Sequence, residues 1–320
     1  MSCQRRILLT GASGVLGRNF LEGVGKNADF NILALLRPES RILNPYPSVK
    51  EIRIDFSNTR AINELVSRFR PEVVVHCAAS GMELPRTHSC NLIRFNVDFT
   101  IDLCESAAKA GTDHFIFIGT GLAYRPLRRS LQEDDAMDTM HPYGASKAAA
   151  DLLVRSAAVE FNLPLTVLRP FSFTGLGDDR CRLFPSLLRA ARSGEEFKLT
   201  SGFQIRDHIS ARDIAQGIFC ALERPPNRTN PAIYNLGSGS KLSIKILVEK
   251  IVEELGLKVC LHFGAKSVAP FEPEELVADS SRAQRDLKWR PTHRLAHAVW
   301  QLARESFPQL DLQEPKENIE

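Results

Sequence analysis

The sequence predicts an α/β protein built on a doubly wound parallel sheet, and three observations carry that prediction. Short apolar runs of strand length recur at 7–10, 31–36, 51–54, 72–77, 115–118 and 165–168. The segments between them space their apolar residues by three and four, as Ala61, Ile62, Leu65, Val66 and Phe69 do, which is the period of a helix with one buried face. A glycine-rich turn joins the first run to the first helical pattern. Strands alternating with helices imply a parallel sheet covered on both faces. Right-handed crossovers then bring the carboxyl ends of the strands to one side, where a ligand crevice forms.

The first unit, RRILLTGASGVLGRNFLEGV, reads as a buried strand at 7–10, a turn, and a helix opening near Val15. Gly11, Gly14 and Gly17 follow one another at intervals of three, with Ser13 and Val15 in the same turn. The first glycine permits the tight turn and the second lets backbone N–H groups approach a pyrophosphate. The third lets the helix pack closely on the sheet, with the phosphates at its N-terminus. This is the pattern of a Rossmann dinucleotide site. A Walker-type phosphate loop is excluded, because no Gly-Lys-Ser/Thr follows.

The second strand ends in NILALLRPES. NAD enzymes place an acidic residue there to bond the ribose hydroxyls; this chain has Leu36 followed by Arg37, twenty residues after Gly17. A carboxylate would repel a 2′-phosphate, whereas a guanidinium pairs with it bidentately. The expected cofactor is therefore NADP, with NAD second if Arg37 is solvated.

Tyr143 and Lys147 stand four apart in HPYGASKAAADLLV, at the start of a helical pattern. That spacing puts both side chains on one face, about 5–6 Å apart at Cβ. A phenol, whose free pKa is about 10, ionises more easily beside an ammonium and becomes a poised proton donor or acceptor. The spacing alone is also common on ordinary surface helices.

Taken together, TGASGVLG and YGASK resemble the extended short-chain dehydrogenase/reductase family of nucleotide-sugar epimerases, dehydratases and ketoreductases. The likeness runs through nearly the whole chain in the family's motif order: VVHCAAS at 74–80, NVDFTIDLCESAAKAG at 96–111, FIFIGTGLAY at 115–124, LRPFSFTG at 168–175, RDHISARDIA at 206–215, YNLGSG at 234–239 and SRAQRDLKWRP at 281–291. The resemblance implies cofactor contacts from Asp55 and Phe56 at the adenine and from Ala78, Ala79, Asn96 and Pro170, besides Tyr143 and Lys147. It implies that Thr120 completes the catalytic set with Tyr143 and Lys147, its hydroxyl donating to a carbonyl oxygen. It places Ser172 and Arg206 on the substrate, Arg206 at a diphosphate. It further implies a cofactor domain over 1–170 with a returning segment at about 207–238, and a smaller, mostly C-terminal α/β substrate lobe at about 171–206 and 239–310, before a polar tail at 311–320. Helices at about 96–110 and 143–161 would pair with their copies in a homodimer.

Departures from the family pattern narrow the chemistry. Sugar 4,6-dehydratases follow the catalytic threonine with Asp-Glu; here Gly121 and Leu122 follow Thr120, so elimination of water is rejected. Simple carbonyl reduction, or oxidation and re-reduction at one carbon, remains. Arg37 tilts the expectation to an NADP-dependent 4-ketoreductase of a nucleotide-activated deoxysugar. An NAD-retaining 4-epimerase is the alternative, and a non-catalytic NADP-binding regulator, which commonly loses the tyrosine or lysine, comes last. Ser172 replaces the family's Asn, Arg125 its Gly after V-Y, and acidic residues in APFEPEEL replace a second phosphate-binding arginine.

Composition sets the outer bounds. In 320 residues, 43% are hydrophobic and 25% charged, as in an ordinary globular enzyme. A net charge of +3 gives no reason to expect nucleic-acid or membrane binding. No apolar run reaches membrane-spanning length and MSCQRR leads straight into a strand, so a cytoplasmic protein is expected. Seven cysteines without C-x-x-C suit buried thiols in a reducing compartment, and eight histidines form no ligand cluster, so no metal is expected.

Overall fold

The computed structural model describes residues 4–42, 46–81, 89–178 and 181–318. The chain begins β1 (Arg5–Thr10), α1 (Val15–Val24), β2 (Phe30–Leu36), β3 (Val49–Arg53), α2 (Thr59–Phe69), β4 (Val73–His76) and α3 (Ser89–Leu92). A π-helical stretch (Ile93–Asp98) leads into α4 (Phe99–Lys109), then β5 (His114–Ile118), a 3₁₀ turn (Gly121–Ala123), α5 (Pro142–Glu160) and β6 (Leu165–Pro170). Next come β7 (Ser172–Thr174), α6 (Leu183–Ser193), β8 (Phe197–Lys198), β9 (Ile205–Arg206), β10 (His208–Ser210), α7 (Ala211–Leu222) and β11 (Ala232–Leu236). The chain closes with β12 (Leu242–Ser243), α8 (Ile244–Leu255), β13 (Leu261–His262), β14 (Glu275–Leu276), α9 (Ser281–Asp286) and α10 (Leu295–Ser306).

Seven parallel strands form the central sheet in the order β11-β6-β5-β4-β1-β2-β3. This is the doubly wound Rossmann arrangement that the strand–helix alternation predicted. The strand order reverses at β1, which pairs with β2 on one side and β4 on the other. A crevice therefore opens at the carboxyl ends of β1 and β4, beyond Thr10 and His76.

Burial on both faces explains why these strands are nearly continuous apolar runs. Ile7, Leu9, Val73, Val75, Ile116 and Ile118 face α1 and α7, packing on Phe20, Leu21, Ile214 and Ile218. Leu8, Val74, Phe115 and Phe117 point the other way, onto Ile62 and Val66 of α2, Leu103 and Ala107 of α4, and Val154 and Ala158 of α5. Strand alternation thus divides one sheet between two cores. A third core joins α6, α8 and α10 through Phe184, Leu187, Val248, Ile251, Val299 and Leu302.

Two boundaries differ from the sequence pattern, each for a local reason. The helix expected from Leu242 opens at Ile244, because Leu242 and Ser243 pair antiparallel with β9. The Ser243 hydroxyl then caps the helix by accepting from the Ile246 N–H. The helix expected from Asn96 is π-helical over Ile93–Asp98, and Asn96 there is fully buried, with its carboxamide bonded away from the helix. Among the described residues, no helix is long and apolar enough to cross a membrane.

Candidate active site

The first βα turn is shaped by what its glycines exclude. Gly11 sits at φ +73°, and a Cβ there would lie 2.6 Å from the Ala78 nitrogen. A Cβ on Gly17 would lie 2.2 Å from the Gly11 carbonyl oxygen, so only glycine lets α1 rest this closely on the turn. Gly14 stands at the N-cap of α1 with no side chain bonding the first-turn amides and no acidic residue in that turn. The uncapped amides and the helix dipole leave an anion-binding position facing the crevice.

The crevice is a cleft of about 690 Å³. One half is walled by the glycine turn with Ser13 and Val15, by Arg37 after β2, by the ring of Phe56, and by Ala78 and Ala79 after β4. The other half is walled by Thr120, His141, Tyr143, Pro170, Ser172, Arg206 and Glu272. Tyr143 and Thr120, 23 positions apart in sequence, therefore both line the same cleft. Thr120 lies two residues past β5 and caps the 3₁₀ turn, its hydroxyl accepting from the Leu122 N–H at 3.2 Å, which leaves the hydroxyl proton available to the cleft. His141 caps α5 through Nδ1, which accepts from the Gly144 N–H, and stands edge-on to Tyr143 at 6.4 Å between ring centroids. Burial holds the His141 imidazole below its ordinary pKa, with the Glu272 carboxylate pulling the other way.

Lys147 lies one helical turn beyond Tyr143 and is buried, with Nζ 4.1 Å from the centroid of the Phe117 ring. Burial pushes its pKa down to about 7, against the attraction of Asp151 and Cys77. His76 is held well below its ordinary value by burial and then by Lys147. Its ring bonds Thr10 Oγ1 at 2.7 Å and Thr100 Oγ1 at 2.9 Å, tying β1 and β4 to α4.

The position of α5 is fixed by a buried ion pair. Arg169 on β6 reaches Asp151 on α5 bidentately, at 2.8 and 2.9 Å, and donates to the Tyr124 hydroxyl and the Glu133 carbonyl. Both partners are 1% exposed. Asp151 thus anchors the helix carrying Tyr143 and supplies the negative charge closest to Lys147 in influence.

The family model described as the NAD-dependent epimerase/dehydratase family matches residues 7–237. This chain belongs to that family. A UDP-glucose 4-epimerase of Corynebacterium glutamicum is 28% identical over 72% of this chain and 75% of its own length. A solved UDP-glucuronic acid 4-epimerase from Bacillus cereus, in complex with UDP-glucuronic acid and NAD, is 26% identical with a TM-score of 0.80, covering 92% of this chain and 96% of that one. The protein MoeE5, in complex with UDP-glucuronic acid and NAD, is 25% identical with a TM-score of 0.84, covering 95% and 100%. The chain is accordingly an enzyme of the extended short-chain dehydrogenase/reductase type.

Within this family member the expected site residues divide in two. Gly11, Ser13, Gly14, Val15, Gly17, Arg37, Phe56, Ala78, Ala79, Thr120, Tyr143, Pro170, Ser172 and Arg206 all line the cleft. Three do not. Asp55 is exposed and its carboxylate accepts from the Ser57 N–H and hydroxyl, at 2.9 and 2.8 Å, so it turns a loop beside the Phe56 ring. Asn96 is a clamp behind the cleft: its carboxamide accepts from Ser80 N–H and donates to Ser80 O and Ser146 Oγ. Lys147 is buried one helical turn beyond Tyr143, with its amine against the Phe117 ring.

Two of the lining arginines are held in ion pairs. Arg37 pairs with Glu39 at 3.3 Å, so its charge is partly answered by its own loop. Arg206 is buried and donates to the Glu272 carboxylate, to Pro273 O at 2.8 Å and to Ile205 O at 2.7 Å. Asp207 instead accepts from the N–H groups of Ser238, Gly239 and Ala278. His141, Arg182 and Glu272 line the cleft without having been singled out as ligand contacts. The acidic run in APFEPEEL was the one visible trace of Glu272. Among the described residues, no group of three or more His, Cys, Asp and Glu is placed to hold a metal ion.

Proposed function

We propose that the protein is an NAD-retaining nucleotide-sugar 4-epimerase whose substrate is a UDP-hexose. The observation that carries the reading is that Thr120 and Tyr143 line the same cleft as a glycine turn at an uncapped helix N-terminus. The residues suit a dinucleotide: the turn and the α1 amides for the pyrophosphate, the Phe56 ring for the adenine, and Ala78 and Ala79 beside the riboses. Bound there, NAD would reversibly accept a hydride from a sugar carbon.

The chain's own groups handle the proton. Tyr143 takes the proton of the sugar hydroxyl as that carbon is oxidised and returns it when the opposite face is reduced. Thr120 donates a hydrogen bond to the same oxygen and holds it in register. Lys147, protonated, favours the phenolate electrostatically, and Asp151 supports that charge. Gly121 and Leu122 offer no carboxyl for eliminating water.

NAD takes the place of the expected NADP, and epimerase that of the expected 4-ketoreductase, on two grounds. Glu39 sets a carboxylate beside Arg37, which offsets the guanidinium and would repel a 2′-phosphate. MoeE5 and the Bacillus cereus UDP-glucuronic acid 4-epimerase, at 25% and 26% identity, were each solved with NAD together with a UDP-sugar. A homodimer is part of the same proposal: Leu152, Leu153 and Val159 on α5 and Ile93 before α4 are each about half exposed, an apolar face suited to a second copy.

The test is to denature the purified protein, identify any released dinucleotide by mass, and incubate native protein with UDP-glucose, UDP-glucuronic acid and UDP-N-acetylglucosamine without added cofactor. Retained NAD and 4-epimerisation of one of these sugars support the reading. Absence of bound NAD, with stoichiometric NADPH oxidation by a 4-keto sugar nucleotide, overturns it.

A further inference from the structure

The open edge of the central sheet carries a second groove, of about 930 Å³, apart from the cleft described above. β11 is the terminal strand and pairs only with β6. Its Leu236 carbonyl accepts from the Phe171 N–H beside β6, so the two-residue period of a strand turns the backbone groups of Asn235 and Ile233 outward. The Asn235 N–H is covered, donating to the Glu133 carboxylate at 2.9 Å. The Ile233 N–H meets no side chain or loop carbonyl among the described residues, and Ile233 lines the groove. Pro231, the next outward position, has no N–H, so this edge offers one donor and no ladder for a peptide strand to extend.

The groove straddles that edge, between α5 on one face of the sheet and α9 on the other. Arg155 reaches it from α5, and Arg282 and Arg285 from α9. Arg282 pairs with Asp134 at 2.6 Å and Arg285 with Asp286 at 2.8 Å. Arg155 uses only Nε, on Asp151 at 3.0 Å, and its two terminal nitrogens donate no hydrogen bond among the described residues. Tyr234 is 9% exposed and lines the groove, yet its hydroxyl forms no hydrogen bond among the described residues. Burial and then Asp286 raise the pKa of this phenol while Arg282 and Arg285 lower it, so the hydroxyl stands amid those charges. A buried polar group without a partner is costly, and a ligand that supplies one gains by it.

We infer that this groove binds a small organic anion, a phosphate ester or carboxylate with an apolar body, held by Arg155, the Tyr234 hydroxyl and the Ile233 N–H. All three present protons, the complement of an anion's oxygen atoms. Pro225, Pro226, Leu152 and Val159 supply apolar walls for the body, and the prolines fix their part of the wall before binding. Through Arg155 the site lies one ion pair from Asp151, which anchors α5 against Arg169. Leu152 and Val159 also belong to the apolar face proposed for a second copy, so in a dimer the groove would open at the edge of that contact.

The experiment is calorimetric titration of the full chain, in the oligomeric form in which it purifies, with phenyl phosphate, benzoate and inorganic phosphate. The wild type is compared with Arg155→Gln, Tyr234→Phe and, as a control in the catalytic cleft, Arg206→Lys. Phenyl phosphate or benzoate should bind at one site per chain, and the tighter of the two tells an ester from a carboxylate. Arg155→Gln and Tyr234→Phe should each weaken that binding about tenfold or more, because hydrogen bonds to a charged ligand are the strong kind. Thermal melts of both variants should match the wild type in the absence of ligand, since the groups removed bond nothing in the free fold beyond the exchange at Arg155 Nε. Arg206→Lys should bind as the wild type does, and inorganic phosphate more weakly than phenyl phosphate, because it leaves the apolar walls empty. Absence of saturable binding by both organic anions overturns the inference. Binding that survives either groove variant, or that falls with Arg206→Lys, also overturns it, the latter by placing the anion in the catalytic cleft. Inorganic phosphate binding as tightly as phenyl phosphate does so too, since it reveals charge attraction without a built site. None of these readouts involves a sugar or a hydride, so the result stands apart from the proposed function.

Discussion

Replacing Lys147 with Met separates its service to catalysis from its effect on stability. The amine is buried against the Phe117 ring, and burial carries its pKa from 10.5 to about 7 despite Asp151 and Cys77. At about 1.4 kcal/mol per pKa unit, that displacement opposes folding of the cofactor-free protein by roughly 3–5 kcal/mol when the amine is charged. Below pH 7 the amine is protonated in both folded and unfolded chains, so the full penalty is present. Between about pH 7 and pH 10.5 the folded protein has released the proton and the unfolded chain has kept it, so stability rises with pH. Met fills similar length without a charge. In urea unfolding of the cofactor-free protein at pH 6.5, Lys147→Met should be more stable than wild type by roughly 3–5 kcal/mol, the gap closing toward pH 10.5. Turnover should be lost at every pH. A wild type at least as stable as the variant at pH 6.5, or a gap that ignores pH, would refute burial as the dominant influence on this amine.

The remaining predictions probe the cleft and its support. Tyr143→Phe should reduce turnover by about 10²–10⁴-fold while NAD affinity by calorimetry holds, because only the proton carrier is removed; unchanged turnover would remove Tyr143 from the chemistry. Gly17→Ala should weaken NAD binding and destabilise by about 1–3 kcal/mol, since its Cβ would meet backbone at 2.2 Å. Gly23→Ala in the same helix has nothing within 4 Å and should stabilise by about 0.5–1 kcal/mol; thermal melts moving the same way for both would contradict the packing account. Asp151→Ala should destabilise by about 3–5 kcal/mol in urea unfolding, because it strands the buried Arg169 charge. A loss under about 1 kcal/mol would mean that the pair does not anchor α5.

What was legible in the sequence was what local pattern determines. The strands of the central sheet are apolar runs because both faces are covered, so β1, β4 and β5 declare themselves without reference to neighbours. The glycine intervals at 11, 14 and 17 and the four-residue step from Tyr143 to Lys147 are likewise local, and they located both halves of the cleft. What escaped was set by contacts distant in sequence or by burial. Glu272 meets Arg206 across 66 positions, which no spacing rule encodes. Asn96 carries the right residue type, but its partners Ser80 and Ser146 come from separate segments and turn it into a clamp. Arg37 is a local case: Glu39, two residues on, sets a carboxylate beside its guanidinium.

The central claim is that the protein would hold one NAD through the cycle, so that the hydride removed from C4 of a UDP-hexose is returned to the same carbon. The most direct measurement uses UDP-hexose deuterated at C4, incubated with purified protein and no added cofactor, with the product examined by mass spectrometry and NMR. The account predicts the C4 epimer with its deuterium retained. Product that has exchanged the label with solvent, or conversion that requires stoichiometric NADPH, would contradict it.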